Sequence, residues 1–251
     1  MHRSSGGDHL QQIEEFIDQG FVDEVVGLVK TGKEASVYLC RAGPAAGCDL
    51  VAAKVYRSAQ YRFKNDAVYQ EARARELGLS GRALRAFNKR RDSSMGRSVQ
   101  SGTWRSREYQ VLQLLHESYA DVPRPIAAAG EAILMEYFGD EDAAAQQLNR
   151  VHLSQEEAVP LFQRVMNNVE LFLALNLVHG DLSPHNVLYW QREVRVIDFP
   201  QAIDPRFNRH AQEVLSRDIA NIVRYFQAYG VEADAASLSR DLWGRFVRAE
   251  L

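Results

Sequence analysis

The chain has 251 residues and a mass of 28.4 kDa, with 46% hydrophobic residues, 25% charged residues and a formal net charge of −3. That is the composition of an ordinary soluble globular protein, long enough for one domain or two small lobes, and its charge excludes nucleic-acid binding driven by overall positive charge. No apolar leader or membrane-length run is present, since even the most apolar helical stretch, Val169 to Val178, contains Glu170 and Asn176; the expectation is a cytoplasmic protein that does not engage a membrane.

Residues 1–8 are polar and read as a loose end, after which Leu10, Ile13, Phe16 and Ile17 predict a short helix closing at Gly20. Runs rich in β-branched residues, Val22 to Val29, Ala35 to Cys40 and Leu50 to Tyr56, predict an antiparallel meander. Cys40 and Cys48 flank its second connection; in a reducing compartment they read as two thiols rather than a disulfide, and two are too few for a structural zinc. Asp66 to Phe87 carries a weak helical pattern broken by Gly78 and Gly81. Arg82 to Arg107 then holds eight Lys or Arg against one acid, Asp92. About 82–103 reads as a mobile basic insert, and two uses weigh equally: a solvated loop, or a salt-sensitive contact to RNA or a ribosomal partner in which Ser93, Ser94 and Ser98 are autophosphorylation sites.

Trp104 to His116 resumes helical spacing, and Val122 to Ile126 and Ala132 to Phe138 predict two further strands. The sequence therefore divides into a tail with a short helix (1–21), a small β-rich lobe (22–138) and a mainly helical lobe (139–251). A hinge near Glu136 to Gly139 joins an α+β, two-lobed arrangement of the sort whose inter-lobe cleft takes ligands. Ser154-x-x-Glu157 is a capping box opening a helix to about Leu177, with Leu161, Val165, Val169, Phe172 and Leu173 on one face. Helices over Ala211 to Tyr229 and Ser237 to Arg248 complete the chain.

The chemistry concentrates in Leu177-Val178-His179-Gly180-Asp181-Leu182-Ser183-Pro184-His185-Asn186-Val187-Leu188-Tyr189 and Val196-Ile197-Asp198-Phe199. Asp181 and Asn186 stand five positions apart and Asp198 twelve further on, each set between apolar residues that read as strand. That spacing suits phosphoryl transfer: one Asp handles the attacking group's proton, while an Asn and a second Asp hold a metal on the ATP phosphates. A polar turn between two buried strands would look similar by itself. A lysine within an apolar strand, Lys54 in Val51-Ala52-Ala53-Lys54-Val55, weighs against that bland reading, because a buried ammonium needs anionic partners. ATP phosphates and a helical Glu would supply them, with Glu108 preferred over Glu117 and Glu71. Gly27 to Glu34 superficially fits a Walker A loop, but Glu34 stands where Ser or Thr is needed and a strand pattern follows. A hairpin over phosphates fits better, with Thr31, Gly32 and Lys33 offering backbone N–H groups.

Taken together, Thr31-Gly32-Lys33-Glu34-Ala35-Ser36-Val37-Tyr38, Val51 to Arg57, His179 to Tyr189 and Val196 to Ala202, with Val214 to Phe226 as a closing helix, resemble the RIO family of atypical serine protein kinases over roughly Val22 to Phe226. The resemblance implies a RIO-type kinase fold, ATP with Mg2+ or alternatively Mn2+, Asp181 as the catalytic Asp, and Asn186 and Asp198 as metal ligands. It also implies Lys54 on the phosphates with Glu108 beside it, a nucleotide site drawn from Thr31, Gly32, Lys33, Glu34, Ala35, Ser36, Val37 and Ser183, and an adenine-binding hinge at Met135, Glu136 and Tyr137. Autophosphorylation on serine follows, and in some members an ATPase cycle through a phospho-aspartate at the position of Asp198.

Two departures stand out. Only about 20 residues precede the first strand, too few for the winged-helix domain of one subfamily, and Pro184-His185 replaces the more usual pair in the metal loop. The second brings the loop nearer to small-molecule phosphotransferases of the aminoglycoside phosphotransferase and choline kinase type. Lys33-Glu34-Ala35, Ser183 and the short stretch after Asp198 speak against those enzymes, and the lack of an A-P-E motif against an ordinary activation segment and peptide platform. A nucleotide-binding switch associating with a ribonucleoprotein is a third reading.

Overall fold

In the computed structural model, residues 5–57 and 107–251 are described. The first helix, α1 (Ser5–Asp18), starts earlier than the predicted Leu10 and ends in a Schellman turn. There the Phe21 N–H reaches the Phe16 carbonyl and the Gly20 N–H the Ile17 carbonyl, both at 2.9 Å, with Gly20 at φ +74°. The turn aims the chain into β1 (Val22–Thr31), which pairs with β2 (Ala35–Ala42), itself paired with β3 (Leu50–Tyr56). Ile13 and Phe16 are fully buried in the same cluster as Cys40, Val51, Ala53, Val55 and Leu134, so α1 covers one face of the sheet. Burial of such side chains is worth about 1.5–3 kcal/mol each. Cys40 and Cys48 are free thiols, and burial pushes Cys40 up to about 12, far from reactivity.

A helix over 107–117 (α2) precedes β4 (Pro125–Ala129) and β5 (Ala132–Glu136). The sheet order is β1-β2-β3-β5-β4, antiparallel throughout. The predicted strand at Val122 to Ile126 shifts forward: Pro123 and Pro125 lack N–H groups, and the ladder begins at Pro125, the first residue of an edge strand, where a proline is tolerated. The predicted strand through Phe138 stops at Glu136. The basic insert, the weak helical stretch before it and all of 82–107 except Arg107 lie outside the described residues.

The second half contains a small sheet of β6 (Gln146–Gln147), β7 (Val187–Trp190) and β8 (Glu193–Val196), in that order. Around it lie α3 (Gln155–Ala174), α4 (Ala211–Gln227) and α5 (Ala235–Val247). The capping box on Ser154 and Glu157 forms as its sequence pattern requires, and the predicted face of α3 is the buried one. The two-residue β6 has no periodicity to read. Leu177 and Val178, read as strand, form only a single bridge, Val178 to Ile203, because the loop that follows leaves the ladder at once.

Among the described residues, chain contacts define one unit of residues up to 57, 107–116 and 123–144, and a second of 117–122 and 145–251. The division falls at 144 rather than 138 because Gly139 and Ala144 form a bridge. Residues 117–122 join the second unit because Asp121 is held there: Arg164 grips its carboxylate at 2.6 and 2.8 Å, the Asn168 amide adds a bond at 2.8 Å, and the Val196 N–H reaches its carbonyl at 2.7 Å.

Candidate active site

Lys54 lies on β3 between the buried residues Ala53 and Val55, which face the other way, and its register sets it opposite Val37 of β2 and Ile133 of β5. Its ammonium is 2.8 and 3.1 Å from the two carboxylate oxygens of Glu108 on α2. The pair is desolvated, with side-chain exposures of 12% and 2%. A charge pair this deep persists because each member satisfies the other; removing one partner from such a pair costs about 3–5 kcal/mol. The β1–β2 hairpin carries Thr31 to Val37 in register with this strand, Ala35 facing Tyr56 and Ser36 facing Val55. Within it the Gly32 N–H donates to the Ala35 carbonyl at 2.9 Å. That amide therefore closes the hairpin here, which corrects the expectation that Gly32 offers its N–H outward alongside Thr31 and Lys33. The Glu34 carbonyl accepts from the Arg57 N–H at 2.8 Å, tying the hairpin to the end of β3. Met135 is buried on β5 opposite Ala52; Glu136 ends the strand with its N–H on the Arg124 carbonyl and its carboxylate on the Arg124 N–H, and Tyr137 follows outside the ladder.

In the second unit, α3 ends in another Schellman arrangement, with the Leu177 N–H on the Phe172 carbonyl at 2.8 Å and Asn176 at φ +58°. Asn176, an interruption in an apolar run, is thus the residue that turns the chain into the loop bearing Asp181. His179 is 2% exposed; its Nε2 lies 3.1 Å from the Ile197 carbonyl, and its Nδ1 accepts from the Asp181 N–H at 3.3 Å. The neutral tautomer protonated on Nε2 satisfies both contacts. Gly180 has φ +87°, and a Cβ there would meet the Gln201 carbonyl oxygen at 2.3 Å, so no other residue fits. A 3-10 turn over Pro184–Asn186 then brings Asn186 back to Asp181: its amide donates to the Asp181 carbonyl at 2.9 Å and to Oδ2 at 3.3 Å. The Ser183 carbonyl accepts the Asn186 N–H at 2.9 Å, which closes the turn. Gln147 of β6 holds the His185 carbonyl from the other side.

Asp198 follows β8 at φ +74°, a conformation rare for a residue with a side chain. Its neighbours impose that bend: the Ile197 N–H is on the Asn186 carbonyl at 2.9 Å, and Phe199 is buried against Phe172 and His179, ring centroids 5.6 and 4.6 Å away. Strain of this kind survives only where the surroundings over-determine it, and it gathers at functional positions. Asp181 reaches solvent, yet the protein around it removes enough water to raise its carboxyl above the usual range, and the Asp198 carboxylate raises it further; Arg217, Asn186 and His185 act in the opposite direction.

Three side chains of α4 hold the loop's backbone. Asp218 accepts the Gly180 N–H at 2.8 Å, Arg217 donates to the Gly180 carbonyl, and Asn221 donates to the Leu182 carbonyl at 3.1 Å. Asp218 is 1% exposed, and burial first of all lifts its pKa to about 7 against the lowering effect of the Gly180 N–H and Arg217. In the sequence these residues fall within the closing helix Val214 to Phe226, where spacing gives them no evident role. The available signal was an acid in the apolar stripe formed by Leu215, Ile219 and Ile222.

The donor set suits a hard divalent cation. Asn186 spends its amide N–H groups on Asp181, which leaves its side-chain oxygen, and Asp198 brings a carboxylate. Among the described residues, no group of three or more His, Cys, Asp or Glu gathers as in a metal centre built by protein alone. Few protein oxygens completed by substrate phosphates is the habit of Mg2+-type sites.

A β-sheet unit carrying a buried Lys–Glu pair, and a second unit carrying Asp, Asn and Asp on a gripped loop before a hairpin, define a kinase-like phosphotransferase. The RIO domain family model matches residues 36–238, and the chain belongs to that family. It is 29% identical over 229 residues to the RIO-type serine/threonine-protein kinase Rio1 of Haloferax volcanii, covering 90% of this chain and 71% of that protein. To Rio1 of Thermoplasma acidophilum it is 29% identical over 189 residues, 75% of this chain and 91% of the relative. To human RIO1 it is 30% identical over 218 residues, 86% of this chain but 35% of the human protein, so it spans about a third of that relative. The enzyme class is accordingly a RIO-type serine/threonine protein kinase, a transferase that uses ATP, and the small-molecule phosphotransferase alternative gives way to it. No described helix is long and apolar enough to cross a membrane.

Proposed function

We propose that the chain transfers the γ-phosphoryl group of ATP to serine hydroxyls, its own included, and to water. The observation that carries this reading is the Asp181 loop, clamped at Gly180 and Leu182 by α4, with Asn186 bonded to Asp181 and a second carboxylate near enough to raise its pKa. Asp181 orients the attacking hydroxyl and takes its proton as the oxygen–phosphorus bond forms and ADP departs; a raised pKa makes it a better acceptor. Asn186 and Asp198 would hold Mg2+ or Mn2+, which when bound offsets the charge on the phosphate oxygens. Lys54, steadied by Glu108, neutralises phosphate charge, the hairpin from Thr31 to Val37 covers the phosphates, and Met135 to Tyr137 receive adenine.

Only turns, coil and the lone bridge at Ile203 separate Asp198 from α4, over 199–210. So little chain for binding an acceptor peptide favours water as a substantial acceptor. The test is incubation with γ-labelled ATP and Mg2+, following released phosphate and protein-bound label. Acid-stable label on serine together with released phosphate is the expected result. Hydroxylamine-labile label would move the covalent step to an aspartate such as Asp198, and the absence of both products would overturn the reading.

A further inference from the structure

Tyr56 stands two residues beyond Lys54 and so on the same face of β3. Its ring lies beneath the ammonium, with Nζ 5.2 Å from the centroid. The backbone that presents the ring is locked on both sides. Tyr56 faces Ala35 across the β2 ladder and donates its N–H to the Glu131 carbonyl at 2.8 Å, and the next N–H, of Arg57, is on Glu34 of the hairpin. The ring, the hairpin and the lysine are therefore carried on one frame.

We infer that Tyr56 is a positioning residue for Lys54, its ring face holding the ammonium beside Glu108 in the orientation that meets phosphate. The physical ground is the attraction of a cation to the negative face of an aromatic ring, which strengthens as water is removed, and Lys54 is largely removed from water. The ring and not the hydroxyl is the working part: the phenol oxygen is buried and has no hydrogen-bond partner among the described residues.

This inference rests on the reading of Lys54 as the phosphate-binding lysine, and the experiment separates the two. Affinities for ATP and for adenosine, which has no phosphate, are measured calorimetrically with Mg2+ for the full chain and its variants. Tyr56→Leu is expected to weaken ATP roughly tenfold and leave adenosine unchanged, while Tyr56→Phe matches the parent protein. Tyr56→Met, which has comparable bulk and no ring, carries the same expectation should the leucine variant fail to fold. ATP affinity unchanged in Tyr56→Leu or Tyr56→Met, an equal loss for adenosine, or an equal loss in Tyr56→Phe would each overturn the inference. Lys54→Ala with unaltered ATP affinity would instead overturn the reading beneath it.

Discussion

Burial holds the Asp218 carboxyl at about 7, which makes stability depend on pH. An acid whose folded pKa is raised keeps its proton in the native state across a range in which the unfolded chain has lost it. Here that range runs from near 3.8 to about 7, and stability falls as pH rises through it. The urea midpoint of the parent protein, taken relative to that of Asp218→Asn, should therefore drop between pH 4 and pH 7; parallel curves would contradict the assignment. Asp121 has the opposite sign. Burial alone would raise its pKa, but hydrogen bonds from Arg164 and Asn168 prevail and lower it. Its contribution is present above the unfolded pKa and lost as pH falls through the folded one, so the advantage of the parent protein over Asp121→Asn should shrink on acidification below about pH 4. The pattern on which the proposed roles of Lys54, Asp181, Asn186 and Asp198 rest was legible in the sequence, because it lies in spacing and flanking residues. Asp218 and Asp121 were not, because each acts on backbone or side chains brought to it only by folding.

At the scale of elements, long periodic segments declared themselves and their ends did not. The apolar stripe of α3 and its capping box could be read directly, whereas β4 began later than its apolar run because prolines govern which residues can donate to a ladder. Asn176 illustrates the same limit. In sequence it interrupts an apolar stretch; in the fold its left-handed conformation ends α3 and starts the loop bearing Asp181. Asn176→Gly should be tolerated, and Asn176→Val should cost about 1–2 kcal/mol in chemical denaturation, because a β-branched side chain resists that backbone region. Equal stability of the two variants would show that the turn does not need this conformation. The hairpin amide of Gly32 belongs at this scale as well: glycine is a reason to expect a turn, but only the ladder shows that its N–H is engaged within the turn.

For the whole molecule, α+β organisation and kinase-like character followed from the order of elements and from motifs distributed along the chain, each weak alone and specific together. The boundary between the units was less legible, because 117–122 lies between two segments of the first unit in sequence and yet is fixed to α3 and β8 through Asp121. The proposed role of Asp181, proton acceptor in phosphoryl transfer from ATP, is the point on which the activity of this fold turns. Its most direct test is a comparison of the parent protein with Asp181→Asn under γ-labelled ATP and Mg2+, reading released phosphate and protein-bound label together while thermal midpoint and ATP affinity are checked in parallel. The prediction is a fall of about 10²- to 10⁴-fold in both products with folding and ATP binding retained; equal rates in the two proteins would contradict it.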